Sequence, residues 1–183
     1  MTQDKSDVLS PLPDAQPSRP YTQPSLPDIL SLLPDELEGL MASIGEPKYR
    51  ARQLFEQLHR GVSPDDMTNL GRLTKEKLRR VSRFFPPSVR RRLTSSIDGT
   101  IKYLFELSDG ATVESVLMKY RHGNTICVST QVGCRMGCAF CASTIGGLVR
   151  NLGAGEILGQ VIAASADSGE KISNIVLMGI GEP

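Results

Sequence analysis

The sequence predicts an α/β chain in which a small helical domain and a β-meander lead into the opening unit of a parallel sheet or barrel. Three observations predict it. Apolar residues recur at helical spacing between positions 34 and 84; from Leu93 the period changes to two, punctuated by Asp-Gly turns; and a cysteine-rich loop is followed by a helical stretch and a short apolar run, the order of a βαβ unit.

The chain opens on a segment that does not fit this pattern. Residues 1–33 hold Pro11, Pro13, Pro17, Pro20, Pro24 and Pro27 among Ser, Gln and Asp, with little apolar material before Ile29 and Leu30. Such a segment buries too little surface to offset its ordering entropy, so a disordered tail is expected. Pro34 then suits the first helical position, with Asp35, Glu36 and Glu38 near the positive end of the helix dipole and Gly45 beyond its end. A second helix is expected from Pro47 to Arg60, where Ala51, Leu54, Phe55 and Leu58 fall on one face and Gly61 is the stop. A third is expected from Thr74 to Phe84, through Leu78 and Val81, ending before Pro86 and Pro87.

These helices form the expected domain 34–92, and their polar faces are basic. Residues 48–92 carry 13 Lys and Arg against 4 Asp and Glu, although the whole chain has a net charge of only +1. Lys48, Arg50, Arg52, Arg60, Arg72, Lys75, Lys77, Arg79, Arg80 and Arg83 all belong to this unit. An excess of this size points to a polyanion such as RNA, through phosphate neutralisation and counterion release; the alternative is a solvated helical surface.

Strands follow at about 101–107, 112–119 and 125–130, joined by Asp98-Gly99, Asp109-Gly110 and Gly123-Asn124. Residues 93–124 are thus assigned to the meander and 125–183 to the parallel unit. Ile157, Leu158, Val161 and Ile162 mark the helix of that unit, and Ile175 to Met178 reads as a strand buried on both faces. With 183 residues and 39% hydrophobic content there is enough material for one domain or two small ones. No run approaches the roughly 18 apolar residues of a membrane helix, and the start lacks a basic and apolar leader, so a cytoplasmic protein without membrane association is expected.

All four cysteines lie between 127 and 141, and Cys134, Cys138 and Cys141 form C-x3-C-x2-C on the loop after a strand. A secreted disulfide framework would spread its cysteines out, whereas three within eight residues point to metal. Three thiolates can hold three corners of a four-iron cubane and leave one iron open for substrate, while electron-carrying clusters usually take four. Gly133 and Gly137 allow the tight backbone such a loop requires, and Phe140 places an aromatic face beside it. Structural zinc or inert thiols are the alternative, but zinc needs a closed set of four, and neither His59 nor His122 is spaced as a partner. Taken alone, Cys127 reads as a small packed hydrophobe, Glu114 as a solvated carboxylate on a sheet face, and Gly181-Glu182-Pro183 either as a turn or as a substrate-binding carboxylate at the C-terminal end of a parallel strand.

The C-x3-C-x2-C loop with an aromatic before its last cysteine resembles the radical S-adenosylmethionine superfamily. More narrowly, KYRARQLFEQLHRGV, MTNL, TICVSTQVGCRMGCAFCAST, RNLGAGEILGQV and NIVLMGIGEP resemble the dual-specificity 23S ribosomal RNA and transfer RNA adenine-C2 methyltransferases, over about residues 35–183. The resemblance implies a partial (β/α)6 barrel, here cut after its second strand, and a [4Fe-4S] cluster on Cys134, Cys138 and Cys141. It also implies S-adenosylmethionine bound beside Phe140, Gly181 and Glu182, Glu114 as proton acceptor, and Cys127 as the thiol that resolves a protein–RNA adduct through a transient disulfide. An electron donor such as flavodoxin, a monomer, and rRNA and tRNA as partners follow from the same likeness. The family's methyl-carrying cysteine has no counterpart before Pro183, so this stretch is expected to be inactive alone. Two other readings remain at this point: methylation of adenine C8, as in related antibiotic-resistance enzymes, and a non-enzymatic, zinc-stabilised RNA-binding module.

Overall fold

A computed structural model describes residues 26–183, and most of the expected tail lies outside the described residues. Its last part does not behave as a tail. Residues Ile29–Ser31 form a 3-10 turn capped by Asp28, whose carboxylate accepts from the Leu30 N–H at 3.1 Å, and Ile29 and Leu30 are buried. Two adjacent apolar residues suffice to order a short segment when a preformed groove receives them, which the proline content of the flanks hides.

Helix α1 spans Pro34–Ser43, starting on proline as expected, with Glu36 reaching back to accept from the Leu33 N–H at 2.7 Å. Helix α2 spans Tyr49–Leu58, shorter at both ends than its apolar pattern suggests. Helix α3 spans Arg72–Val81, two residues earlier than expected and ending sooner. It stops because Ser82 turns extended and Arg83 bonds instead to the 27–29 segment, donating to the Pro27 carbonyl and accepting from Ile29, both at 2.9 Å. Leu37, Met41, Leu54, Leu58, Met67 and Leu78 close with Ile29 and Leu30 into one core.

The second core lies under a five-stranded sheet. Strand β1, Ser88–Thr94, was not expected: every residue in it is exposed, so it shows no alternation, and its arginines read as part of the basic helices. Residues 88–92 therefore belong to the sheet and not to a helical unit. Strands β2 (Ile101–Glu106), β3 (Thr112–Met118) and β4 (Asn124–Cys127) follow antiparallel, each close to its expected range. A two-stranded hairpin of β5 (Gln131–Gly133) and β6 (Leu148–Asn151) flanks the cysteine loop, and it too escaped the sequence reading because its strands are so short. Helix α4, Ala154–Ser168, leads to β7, Ile172–Val176, which lies parallel to β4.

The sheet order is β1-β2-β3-β4-β7, so the antiparallel strands and the parallel pair are one continuous surface. Val113, Leu117, Ile126 and Val128 point from one face into the core beneath α4. Strand β7 is not buried on both faces as its composition suggests: Ile175 is 52% exposed and Met178 beyond its end 80%. It is the edge strand, with β4 on one side only. Helix α4 joins the two cores, since Leu158 and Ile162 pack on the first and Ile157 and Val161 on the second.

Candidate active site

The period-two geometry of the sheet brings Glu114 and Cys127 together. Val113, Ser115 and Leu117 face α4, which leaves Glu114 and Val116 on the opposite face. On β4, Ile126 and Val128 face α4, so Cys127 shares the face of Val116, its partner across the ladder. Glu114 is thus the diagonal neighbour of Cys127 on adjoining strands. Both are half-buried, and Lys102 of β2, on the same face, donates to Glu114 at 2.8 Å. Lys102 went unnoticed in the sequence because only the β2–β3 register pairs it with that carboxylate.

Beyond Cys127 the chain enters the β5–β6 hairpin, whose connection carries the three remaining cysteines. The hairpin is closed at its base by the Cys134 N–H donating to the Gly147 carbonyl at 3.1 Å. Gly133 sits at φ +73°, and a β-carbon there would overlap the Gly147 carbonyl oxygen, so only glycine fits. Cys134 is buried, Cys141 half-buried and Cys138 exposed, and all four cysteines are free thiols. Among the described residues no three His, Cys, Asp or Glu side chains converge into a preformed metal cage. The donor set nevertheless suits a thiophilic centre: three thiols on one short loop with pinned ends and no carboxylate or histidine among them. Phe140, on that loop, is 94% exposed.

Residues 179–182 fold back against the start of the hairpin. The Ile180 carbonyl accepts from Thr130 and Gln131 N–H at 2.9 and 3.1 Å, and the Glu182 N–H donates to the Gln131 side chain at 3.1 Å. Gly181, at φ +111°, lies so near Thr130 and Gln131 that an added β-carbon would stand 2.7 Å from each. The Thr130 hydroxyl beside it is buried with no hydrogen-bond partner among the described residues, an orphan that a bound polar group could satisfy.

Two buried side chains that sequence reasoning missed hold these pieces in place. Gln160 of α4 accepts from the Ser129 N–H at 3.0 Å and the Ser115 hydroxyl at 2.7 Å, and donates to the Ser129 carbonyl at 3.0 Å. The Ser129 hydroxyl in turn donates to the Glu114 carbonyl at 2.6 Å and accepts from the Ile180 N–H at 3.0 Å. One serine therefore ties together the strand of Glu114, the end of β4 and the 179–182 loop. Arg150 of β6 is nearly buried and forms ion pairs with Asp109 at 2.8 Å and with both Glu156 oxygens at 2.7 and 2.8 Å, fixing the hairpin to the β2–β3 turn and to the start of α4. Burial would raise the Asp109 carboxyl, but Arg150 and the Ala111 N–H outweigh it and hold the group below the usual range. A polar residue at an apolar helical position is the only sequence signal for Gln160.

Five of the ten basic side chains named for the helical unit are ion-paired within the chain. Lys48 pairs with Glu38, Arg50 with Glu46, Arg52 with Glu56, Arg72 with Glu76 and Arg79 with Asp65. Lys75 and Lys77 donate to backbone carbonyls and Arg83 to Ser108.

Comparison with known proteins assigns the class first. The chain superposes on a crystal structure of a radical SAM methyltransferase from Sphaerobacter thermophilus with a TM-score of 0.78 at 42% identity, covering 86% of this chain and 48% of that one. Its fold is that of part of that radical SAM methyltransferase structure. Residues 27–83 match the ribosomal RNA large subunit methyltransferase N-terminal domain. A probable dual-specificity RNA methyltransferase RlmN from Alkaliphilus metalliredigens is 52% identical over 157 residues, 85% of this chain and 45% of the relative. The one from Geobacillus kaustophilus is 49% identical over 177 residues, 93% and 48% of the two chains. In sequence this chain is similar to part of these RlmN relatives: it spans about half the length of the curated relatives it matches. Among the described residues no helix is long and apolar enough to cross a membrane.

Proposed function

We propose that the chain carries the cluster-binding part of a radical S-adenosylmethionine RNA methyltransferase that acts on adenine C2 of 23S rRNA and tRNA in the cytoplasm. In this reading β4, α4 and β7 are the first unit of a partial (β/α)6 barrel, preceded by a helical domain and a meander. The observation that carries it is the combination of three features: Glu114 and Cys127 on one sheet face, the three-thiol loop beyond the end of β4, and Ile180 and Glu182 bonded to Thr130 and Gln131 at the start of the hairpin that carries the loop.

Cys134, Cys138 and Cys141 would hold a [4Fe-4S] cluster, which would supply the electron, received from a donor such as flavodoxin, that cleaves S-adenosylmethionine to its radical. The orphaned Thr130 hydroxyl supports a bound polar group there; Glu182 would accept from the ammonium of S-adenosylmethionine, and Phe140 would offer it an aromatic face. Glu114, ion-paired with Lys102 at 2.8 Å on the same face, accepts a proton from the target base. Cys127, on the same face, is the thiol that releases the product from its protein adduct.

Anaerobic reconstitution tests the metal assignment. Wild-type protein is expected to take up about four irons with broad visible absorbance. Alanine at Cys134, Cys138 or Cys141 should abolish uptake, and Cys127→Ala should retain it. Zinc retained in place of iron, or a cluster lost with Cys127, would refute the ligand assignment.

A further inference from the structure

The cations without an ion pair or hydrogen bond among the described residues are Arg60, Arg80 and Arg91 of the basic stretch and Arg121, Arg135 and Lys171 beyond it. Exposed ion pairs hold little free energy, about 0–1 kcal/mol, yet each carboxylate beside a cation cancels much of its field at a distance. The helical patch is therefore a weaker attractor of phosphate than its residue count implies.

Two of these cations line one cleft beside the start of β7, and a third sits on the adjoining β3–β4 turn. Arg60, just past α2, and Lys171, just before β7, line the same cleft of about 320 Å³. The β3–β4 turn lies directly against Lys171: Asn124 donates to the Lys171 carbonyl at 3.0 Å and pairs with Ile172 across the ladder. That turn carries the third cation, Arg121, between Tyr120 and His122, whose rings stack at a centroid distance of 5.2 Å and 6° between planes. All three turn side chains are exposed. The nearby carboxylate, Glu170, is already engaged by Lys119 at 2.6 Å. Unpaired cations beside an exposed, preordered ring stack are the chemistry of single-stranded RNA contact, in which a base extends the stack and its phosphates meet the charges.

We propose that Arg60, Tyr120, Arg121, His122 and Lys171 form a second RNA-contact surface, taking an unpaired stretch of a folded RNA. It stands at the opposite end of β4 from the cysteine loop, so it grips the RNA away from the base that reacts. The proposal rests on the RNA reading above but not on the cluster.

The test is fluorescence anisotropy of a labelled tRNA transcript binding to the chain across a salt series, with folding checked by circular dichroism. Changing Arg60, Arg121 and Lys171 together to Gln should flatten the slope of log K against log salt by about two, at roughly 0.7–0.9 per phosphate contact. The same treatment of Arg79, Arg80 and Arg83 should alter it less. Tyr120→Ala should weaken binding roughly 5- to 100-fold with the slope unchanged, and Tyr120→Phe should restore it. RNA binding whose slope survives the first triple change would overturn this surface alone. No RNA binding by the wild-type chain would overturn the surface together with the RNA reading.

Discussion

Single residues act in this chain through what they hold in place, and Gln160 is the clearest case. Its amide satisfies both backbone groups of Ser129 and the Ser115 hydroxyl in a fully buried setting. Gln160→Leu keeps the volume but strands three polar groups, each costing about 1–3 kcal/mol when buried without a partner. Urea denaturation is expected to show a loss of about 2–4 kcal/mol, against about 1 kcal/mol or less for Ser115→Ala, which leaves the Ser129 backbone bonded. Equal, small losses from both would mean that the network is solvent-bridged and not structural. The cysteines, by contrast, were readable at once, because their spacing along one loop is a local property. The role of Ser129 was not, because its partners lie 15, 31 and 51 residues away.

At the scale of elements, α4 decides how the helical unit meets the sheet. Its first turn is fixed by the Gly155 N–H donating to the Ser31 hydroxyl at 2.8 Å, and Gly159 is pressed against the ring of Pro87, which would overlap any β-carbon there. Two helix-interior glycines should consequently respond to alanine with opposite signs. Gly39 of α1 has nothing within 4 Å of the position a β-carbon would take, so Gly39→Ala should stabilise by about 0.5–1 kcal/mol through helix propensity. Gly159→Ala gains the same propensity but must displace a proline ring, and overpacking of about 1–3 kcal/mol should leave it destabilised. Thermal melts of both variants check the pair; a stabilised Gly159→Ala would mean that α4 moves freely over the 84–87 segment. Helix α1 was expected almost to the residue, from its proline start and acidic first turn. Strand β1 was invisible, since a fully exposed edge strand has no apolar period and is defined only by its pairing with β2.

Over the whole molecule, acid stability balances two carboxyls whose pKa values are shifted in opposite directions. Burial raises Asp28 above 3.8, against the weaker pull of the Leu30 N–H and Arg83, so its contribution to stability is greatest below 3.8 and is lost as pH rises through the folded value. Asp109 is lowered, so its contribution is present above 3.8 and is lost as pH falls through the folded value. Asp28→Asn keeps an acceptor for the Leu30 N–H and removes the buried charge. The variant should gain on wild type as pH rises past 3.8 and hold that lead at neutrality; unfolding free energies measured across pH that show no such gain would place Asp28 in solvent. Asp28 belongs to a segment that composition assigned to the tail, and the correction has one cause: Ile29 and Leu30 have somewhere to go only once α1, α2 and α3 have met. The same division runs through the chain. Helix starts, turn glycines and the three-thiol loop follow from the sequence, because each depends on neighbours a few positions away. The Arg150–Asp109 ion pair, the shared face of Glu114 and Cys127, and the Ser129–Gln160 bond belong to the tertiary fold, because each needs two residues brought together from distant parts of the chain.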